Sequence, residues 1–312
     1  MHGSAHSKKS FAGESSLAFV ALLAGNVALA FGPLFVRMAS TDAHIGPVAA
    51  AFWRLLLAAP LLLLMTRVTR QPIGRLAPAM WVTVVLAGIF FAGDLGTWHL
   101  GILKTKLANA TLIGNCASLM FPLYGFVVAR AWPSRGQALA LLLAALGAGL
   151  MMGRSYELSP QNLVGDLLCL LAGILYTFYL IAIDRARGRL QPWPVLALST
   201  VFGVLPLLIF AWGLGERIWP DAWGPLIALA LVSQLIGQGL LVYAMGHVRP
   251  LVTGLTFLLQ PAIAAAIGWI GYGEELAAAD WIGAALVAAA IVAVRRPAAI
   301  SAPPAAQDHT AR

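Results

Sequence analysis

Polar positions are scarce along this chain and bunched, so the sequence reads as apolar runs cut by short breaks. Ten runs predict helices: 17–37, 46–66, 79–102, 106–129, 136–153, 163–184, 194–214, 223–245, 250–271 and 277–294. About 20 apolar residues in a helix cross a hydrocarbon core of about 30 Å, so each run is a candidate span. Gly and Pro punctuate the connections, as at Gly46-Pro47, Gln71-Pro72, Gln191-Pro192-Trp193-Pro194 and Trp219-Pro220. Residues 1–16 are polar and residues 297–312 are Pro/Ala-rich, and both are expected to be disordered tails. Ala28-Leu29-Ala30 looks like a signal-peptide cleavage site. The apolar run continues past it, so an uncleaved first span is expected.

Two stretches share one plan. Thr105 to Met152 holds an apolar helix interrupted by Pro122, a basic break from Arg130 to Arg135, and a second helix rich in Ala, Leu and Gly. Arg249 to Val294 repeats it, with Pro261 answering Pro122 and Glu274-Glu275 falling where Arg135-Gly136 fell. Such self-similarity marks duplication. The expected fold is therefore an all-α integral membrane protein of ten transmembrane helices, a five-helix repeat over 17–153 and another over 163–295. Five is odd, so the two repeats insert with opposite orientation. Inverted repeats place a substrate site near the midplane and permit alternating access.

Composition agrees with that solvent. The chain is 60% hydrophobic and 10% charged over 312 residues, whereas a soluble domain carries about 25% charged residues. The net charge of +8 does not point to nucleic acid, because the basic residues sit in short clusters between apolar runs. With the N-terminus inside, fourteen Lys and Arg fall in inner segments, including Lys8, Arg67, Arg130, Arg185, Arg249 and Arg295. Four fall outside: Lys104, Lys106, Arg154 and Arg217; Arg37 and Arg54 lie in or at the edge of spans. Basic residues stay on the cytoplasmic side, so both termini are expected there, in a bacterial-type inner membrane. Cys116 and Cys169 lie in apolar helices and read as packing residues, with no disulfide expected.

A few polar residues break the apolar pattern. Asp94 is the acidic residue in the middle of a span, where insertion scales charge about 2.5–3.5 kcal/mol. Arg54 lies at matching depth, each roughly 12 Å from the outer end of its span at about 1.5 Å per residue. A structural ion pair and direct substrate or proton handling are both open to them. Phe91, Asp94 and Trp98 share one helical stripe, whereas His99 points elsewhere and reads as a satisfied intrahelical histidine. Thr111, Asn115, Ser118 and Pro122 form a second stripe; Asn109 lies off it. Gln234 with Gln238, then Thr253, Thr256 and Gln260, then Cys169, Tyr176 and Tyr179, give three more. Polar stripes in spans face protein or a water-filled cavity, and helix–helix hydrogen bonding is the plain alternative. Pro122 frees the Ser118 carbonyl and bends its helix; Pro261 is the matching hinge. Trp98, Asn109, Asn115, Tyr176, Gln238 and Gln260 are the expected cavity residues. No metal-ligand spacing, phosphate loop or nucleophile elbow stands out, so neither cofactor nor metal is expected, and the chain is not read as an enzyme.

These residues also carry a family likeness. Phe52-Trp53-Arg54-Leu55, Asp94-Leu95 with Trp98-His99, and Ala108-Asn109-Ala110-Thr111-Leu112 with Asn115 and Pro122 resemble the EamA-type carriers of the drug/metabolite transporter superfamily. Pro261, Gly273-Glu274-Glu275-Leu276 and Gly283-Ala284 resemble the second signature of that family, and Arg135 departs from it where many members have glutamate. Within the family the chain is similar to YddG-type exporters of aromatic amino acids. The resemblance implies a multi-pass exporter of amino acids or related small metabolites. Efflux of lipophilic cations through Asp94 is the rival within the class. A non-transporting scaffold or intramembrane enzyme is the rival outside it, and the inverted repeat argues against both. The implied partners are a small-molecule substrate and the lipid bilayer; a monomer is compatible with the sequence.

Overall fold

A computed structural model of the chain describes residues 5–105, 110, 113–153, 159–272 and 277–295. The described residues form helices and connections, without strands. The first unit contains α1 (Ala5–Ala30), α2 (Gly32–Thr41), α3 (Pro47–Val68), α4 (Pro78–Gly101), α5 (Ala117–Ala129) and α6 (Arg135–Gly153). The second contains α7 (Leu163–Arg187), α8 (Pro192–Gly213), α9 (Gly224–Ala228), a π-helical segment (Leu229–Gln238), α10 (Gly239–Met245), α11 (Pro250–Phe257), α12 (Leu259–Tyr272) and α13 (Ala278–Arg295). Among the described residues, six stretches are long and apolar enough to cross a bilayer, the first running Ser16–Thr41; four more are shorter apolar helices.

Helix starts follow the proline pattern. Pro47, Pro78, Pro192 and Pro250 each open a helix, where a missing N–H costs nothing. Two expectations need amending. Helix α1 begins at Ala5, inside the stretch expected to be disordered, because extending a formed helix needs no new nucleus. The first, eighth and ninth expected runs are broken, at Phe31, over Leu229–Gln238 and at Leu258. Pro33 explains the first break: it cannot donate a backbone hydrogen bond to the preceding turn.

The π segment has a reason in the sequence. Buried positions recur there in pairs every fourth residue: Leu229-Ala230, Ser233-Gln234 and Gly237-Gln238. An ordinary helix of 3.6 residues per turn would rotate that stripe by about 40° with each repeat. The i→i+5 winding takes more residues per turn and offsets the drift, so both glutamines stay inward.

Helices α3, α4, α7 and α8 build the main core, around Leu55, Leu62, Phe91, Tyr179, Ile183 and Leu207. Helix α4 packs on α7 and α8, α3 on α8 and the π segment, α1 on the π segment and α10, α5 on α11, and α6 on α13. Replace each of the ten apolar runs by the one five places along the chain. Every one of these pairings then becomes itself or another of them. Helices α6 and α13 form a second cluster through Ala140, Ala144, Val287 and Ala290. Their backbones touch where a Cβ on Gly147 would lie 2.6 Å from the Gly283 carbonyl oxygen, the close approach that small residues permit between membrane helices. The outer faces expose large apolar side chains such as Leu123, Val127, Leu142, Leu205 and Ile209, more than a water-facing surface carries.

Connections gather into two rims. At one, Arg187 donates to the Leu190 and Val242 carbonyls, Tyr124 donates to Asp184 at 3.4 Å, and Trp193 N donates to Gln71. At the other, Gly46 N donates to Arg217 O, and the Glu216 carboxylate accepts from Val48 N and Ala49 N. Glu216 thereby caps α3 from the α8–α9 loop, satisfying two donors that its own turn leaves open. Burial raises its carboxyl pKa, and those two hydrogen bonds pull the other way.

Candidate functional site

The breaks in the helices surround one cavity of about 160 Å³. Ala30, Gly32 and Pro33 border it at the α1–α2 break, Gln238 at the end of the π segment, and Phe257 and Gln260 on either side of Leu258. Gly114, Asn115 and Ala117 border it at a turn through Asn115-Cys116, just before α5. Non-helical backbone at membrane depth is tolerated where it faces a cavity and not lipid. Gly114 also admits Trp98: a Cβ there would lie 3.2 Å from the indole Nε1.

Five sequence-selected residues, Trp98, Asn115, Tyr176, Gln238 and Gln260, meet at this cavity, together with Arg54 and Asp94. Asn109 and Thr111 lie outside the described residues. Gln238 sits between two phenols: its Oε1 accepts from Tyr179 and its Nε2 donates to Tyr176, each at 3.4 Å. Tyr176 packs against Tyr179 and edge-on against Phe257, with centroids 5.6 Å apart in both pairs. Phe91 stacks on Tyr179 at 4.4 Å. The result is an aromatic wall braced by hydrogen bonds on one side of the space.

Arg54 and Asp94 do not form the direct ion pair that was one reading of them. Among the described residues no contact within ion-pair distance joins them. Arg54 Nε donates instead to Gln234 Oε1 at 3.0 Å, and its guanidinium carbon lies 5.7 Å from the centre of the Phe91 ring. Gln234 Nε2 donates onward to Thr200 at 2.9 Å. The arginine is thus held by the π segment and by α4, at a stand-off from the carboxylate. His99 also departs from expectation. It is fully buried, but its Nδ1 meets the Pro47 carbonyl at 2.8 Å, on another helix, and its Nε2 has no partner.

Asn26 was missed. Its Oδ1 accepts from Gln260 Nε2 at 2.8 Å, and its Nδ2 donates to Leu22 O and Thr256 Oγ1. It ties α1 to α11 and α12 beside the cavity. The signal was present, since a lone amide in an apolar run has to find a partner. The two prolines expected as hinges are placed differently from each other. Pro122 lies inside α5, beyond the cavity, where its ring and the Ser118 carbonyl press on Gly254 of α11. Pro261 lies next to Gln260, in the first turn of α12.

The EamA-like transporter family model matches residues 16–153 and again 163–296. The chain belongs to the EamA-like transporter family. It is similar to an uncharacterised transporter of Archaeoglobus fulgidus, 23% identical over 285 residues, which covers 90% of this chain and 95% of that one. It is 26% identical to the uncharacterised transporter YdfC of Bacillus subtilis, over 73% of this chain and 75% of YdfC. It is also similar to the threonine/homoserine exporter RhtA of Escherichia coli K12, at 28% identity over 137 residues, or 44% of this chain and 46% of RhtA. A protein of known crystal structure shares the fold over 90% of this chain and 97% of its own, with TM-score 0.70 and 16% identity. This EamA-family chain is therefore a multi-pass membrane protein of a transporter family, and the cavity is where its polar groups converge.

Proposed function

We propose that this chain exports amino acids, foremost aromatic ones, or related small metabolites across a bacterial-type inner membrane by alternating access. The observation that carries the reading is the cavity. It lies between the two units, is bordered by breaks in four spans, and combines one guanidinium and one carboxylate with an aromatic wall. In this reading ten spans form two inverted five-helix repeats, 17–153 and 163–295, with both termini cytoplasmic. The helix pairings that map onto one another support the duplication, and the bias of Lys and Arg supports the orientation. Trp98, Asn115, Tyr176, Gln238 and Gln260 contact the substrate, and Asn109 is proposed with them from the sequence. Pro122 and Pro261 are the hinges.

The size of the cavity suits one ring, since an apolar cavity of about 150 Å³ holds benzene. Trp98, Tyr176 and Phe257 bring aromatic rings to the wall for contact with such a ring. RhtA points to smaller hydroxy amino acids, over less than half of either chain. A lipophilic cation fits less well, because Arg54 stands in the wall. Counterflow in liposomes decides among them, with labelled Phe, Tyr, Trp, Thr and homoserine and a tetraphenylphosphonium control. Uptake of the aromatic set above Thr is expected. Uptake of the cation with none of the amino acids would overturn the reading.

A further inference from the structure

We infer that Arg54 and Asp94 form a split clamp for a zwitterion, Arg54 taking a substrate carboxylate and Asp94 a substrate ammonium, so that the cavity selects molecules carrying both groups. This rests on the carrier reading above and names the chemical class that the same site takes.

The Arg54 guanidinium and the Asp94 carboxyl group border one cavity without an ion-pair contact among the described residues. Buried charges are ordinarily paired, and Arg54 is only 5% exposed. A structural pair would close the gap; this one is held open. Gln234 occupies Arg54 Nε, backed by Thr200. Among the described residues its two terminal nitrogens donate to none, which leaves the end-on fork that matches a carboxylate with two parallel hydrogen bonds. The Phe91 ring lies against the guanidinium and is itself stacked on Tyr179. The fork therefore has a fixed direction before any ligand arrives, which lowers the ordering cost of binding. The Asp94 carboxylate takes no hydrogen bond from the described residues. A ligand with one charge would leave the opposite protein charge unmatched. A zwitterion matches both and brings no net charge into the membrane. Gln234 acts through Arg54 and is a positioning residue.

The test uses the full chain in nanodiscs, with phenylalanine, phenethylamine (no carboxylate) and 3-phenylpropionate (no ammonium) as probes. Threonine, 1-amino-2-propanol and 3-hydroxybutyrate run in parallel, so the outcome does not hang on the side chain. Wild type should bind the amino acid at least about 10-fold more tightly than either analogue. Arg54→Gln should weaken it about 10- to 100-fold, the range of a lost hydrogen bond to a charged group, and leave the amine unchanged or tighter. Asp94→Asn should do the mirror image, sparing the acid. Gln234→Leu should lower the preference for amino acid over amine, a ratio that loss of packing alone would not move. Size-exclusion profiles check folding; if Arg54→Gln aggregates, Arg54→Lys should keep the preference at reduced affinity. Equal binding of all three probes by wild type overturns the clamp, as does proportional loss of all three in both variants. Transport separates the two readings. Amino acids carried with no preference over the amines sink the clamp and leave the carrier; the binding pattern without transport does the reverse.

Discussion

Gly254→Ala tests the packing beneath the cavity. Gly254 is buried in α11 against α5. A Cβ there would lie 2.5 Å from Pro122 Cδ, 2.6 Å from its Cγ and 2.8 Å from the Ser118 carbonyl oxygen. A proline ring and a backbone carbonyl cannot swing aside, so the helices must separate. Overpacking of this kind costs about 1–3 kcal/mol. Alanine returns about 1 kcal/mol of helix propensity over glycine. Gly149 of α6 supplies the control, since nothing lies within 4 Å of a Cβ there, and its Ala variant gains propensity alone. Relative to Gly149→Ala, Gly254→Ala should therefore be less stable by about 1–3 kcal/mol. At about 2–4 °C per kcal/mol for a mid-sized chain, its melting temperature in detergent should fall several degrees below the control. Adding Pro122→Ala removes the ring the new methyl meets, so the pair should be non-additive. Equal melting of Gly254→Ala and Gly149→Ala would refute the reasoning.

Trp98→Ala and Tyr176→Ala should weaken aromatic substrates by about 1–3 kcal/mol, the scale of a lost apolar side chain, and threonine less; transport of both by the same folded variants checks it, and equal loss would mean that these residues shape the fold and not the specificity. Asn26→Ala strands the Gln260 amide beside the cavity and should cost about 1–3 kcal/mol. Asn26→Leu with Gln260→Leu, which removes both partners, should melt closer to wild type. At the loop rim, hydrogen bonds from Arg217 hold the Asp221 carboxyl below the usual carboxylate range, with Arg217 and His44 charge adding to this. A depressed native pKa means that this contribution is present above the unfolded value near pH 4 and lost as pH falls through the native one. Asp221→Asn should therefore lower the melting temperature slightly at pH 7, and its gap to wild type should close as pH falls below 4.

Length, hydropathy and proline spacing were enough to divide this chain into its apolar helices, because crossing hydrocarbon constrains composition residue by residue. Helical periodicity also chose Trp98, Asn115, Tyr176, Gln238 and Gln260, since a polar stripe on a membrane helix has few places to face. Periodicity fixes a residue only about the axis of its own helix, however. Whether Arg54 reaches Asp94, or Gln234 first, depends on how α3, α4 and the π segment are rotated and spaced against one another, and that is set by packing. The same holds for His99, whose partner Pro47 lies 52 positions away, and for Asn26, whose partner Gln260 lies 234 away. The π winding over Leu229–Gln238 stood half-written in its four-residue repeat. Only the neighbouring helices, by demanding that both glutamines face inward, decided that the backbone would unwind to meet them.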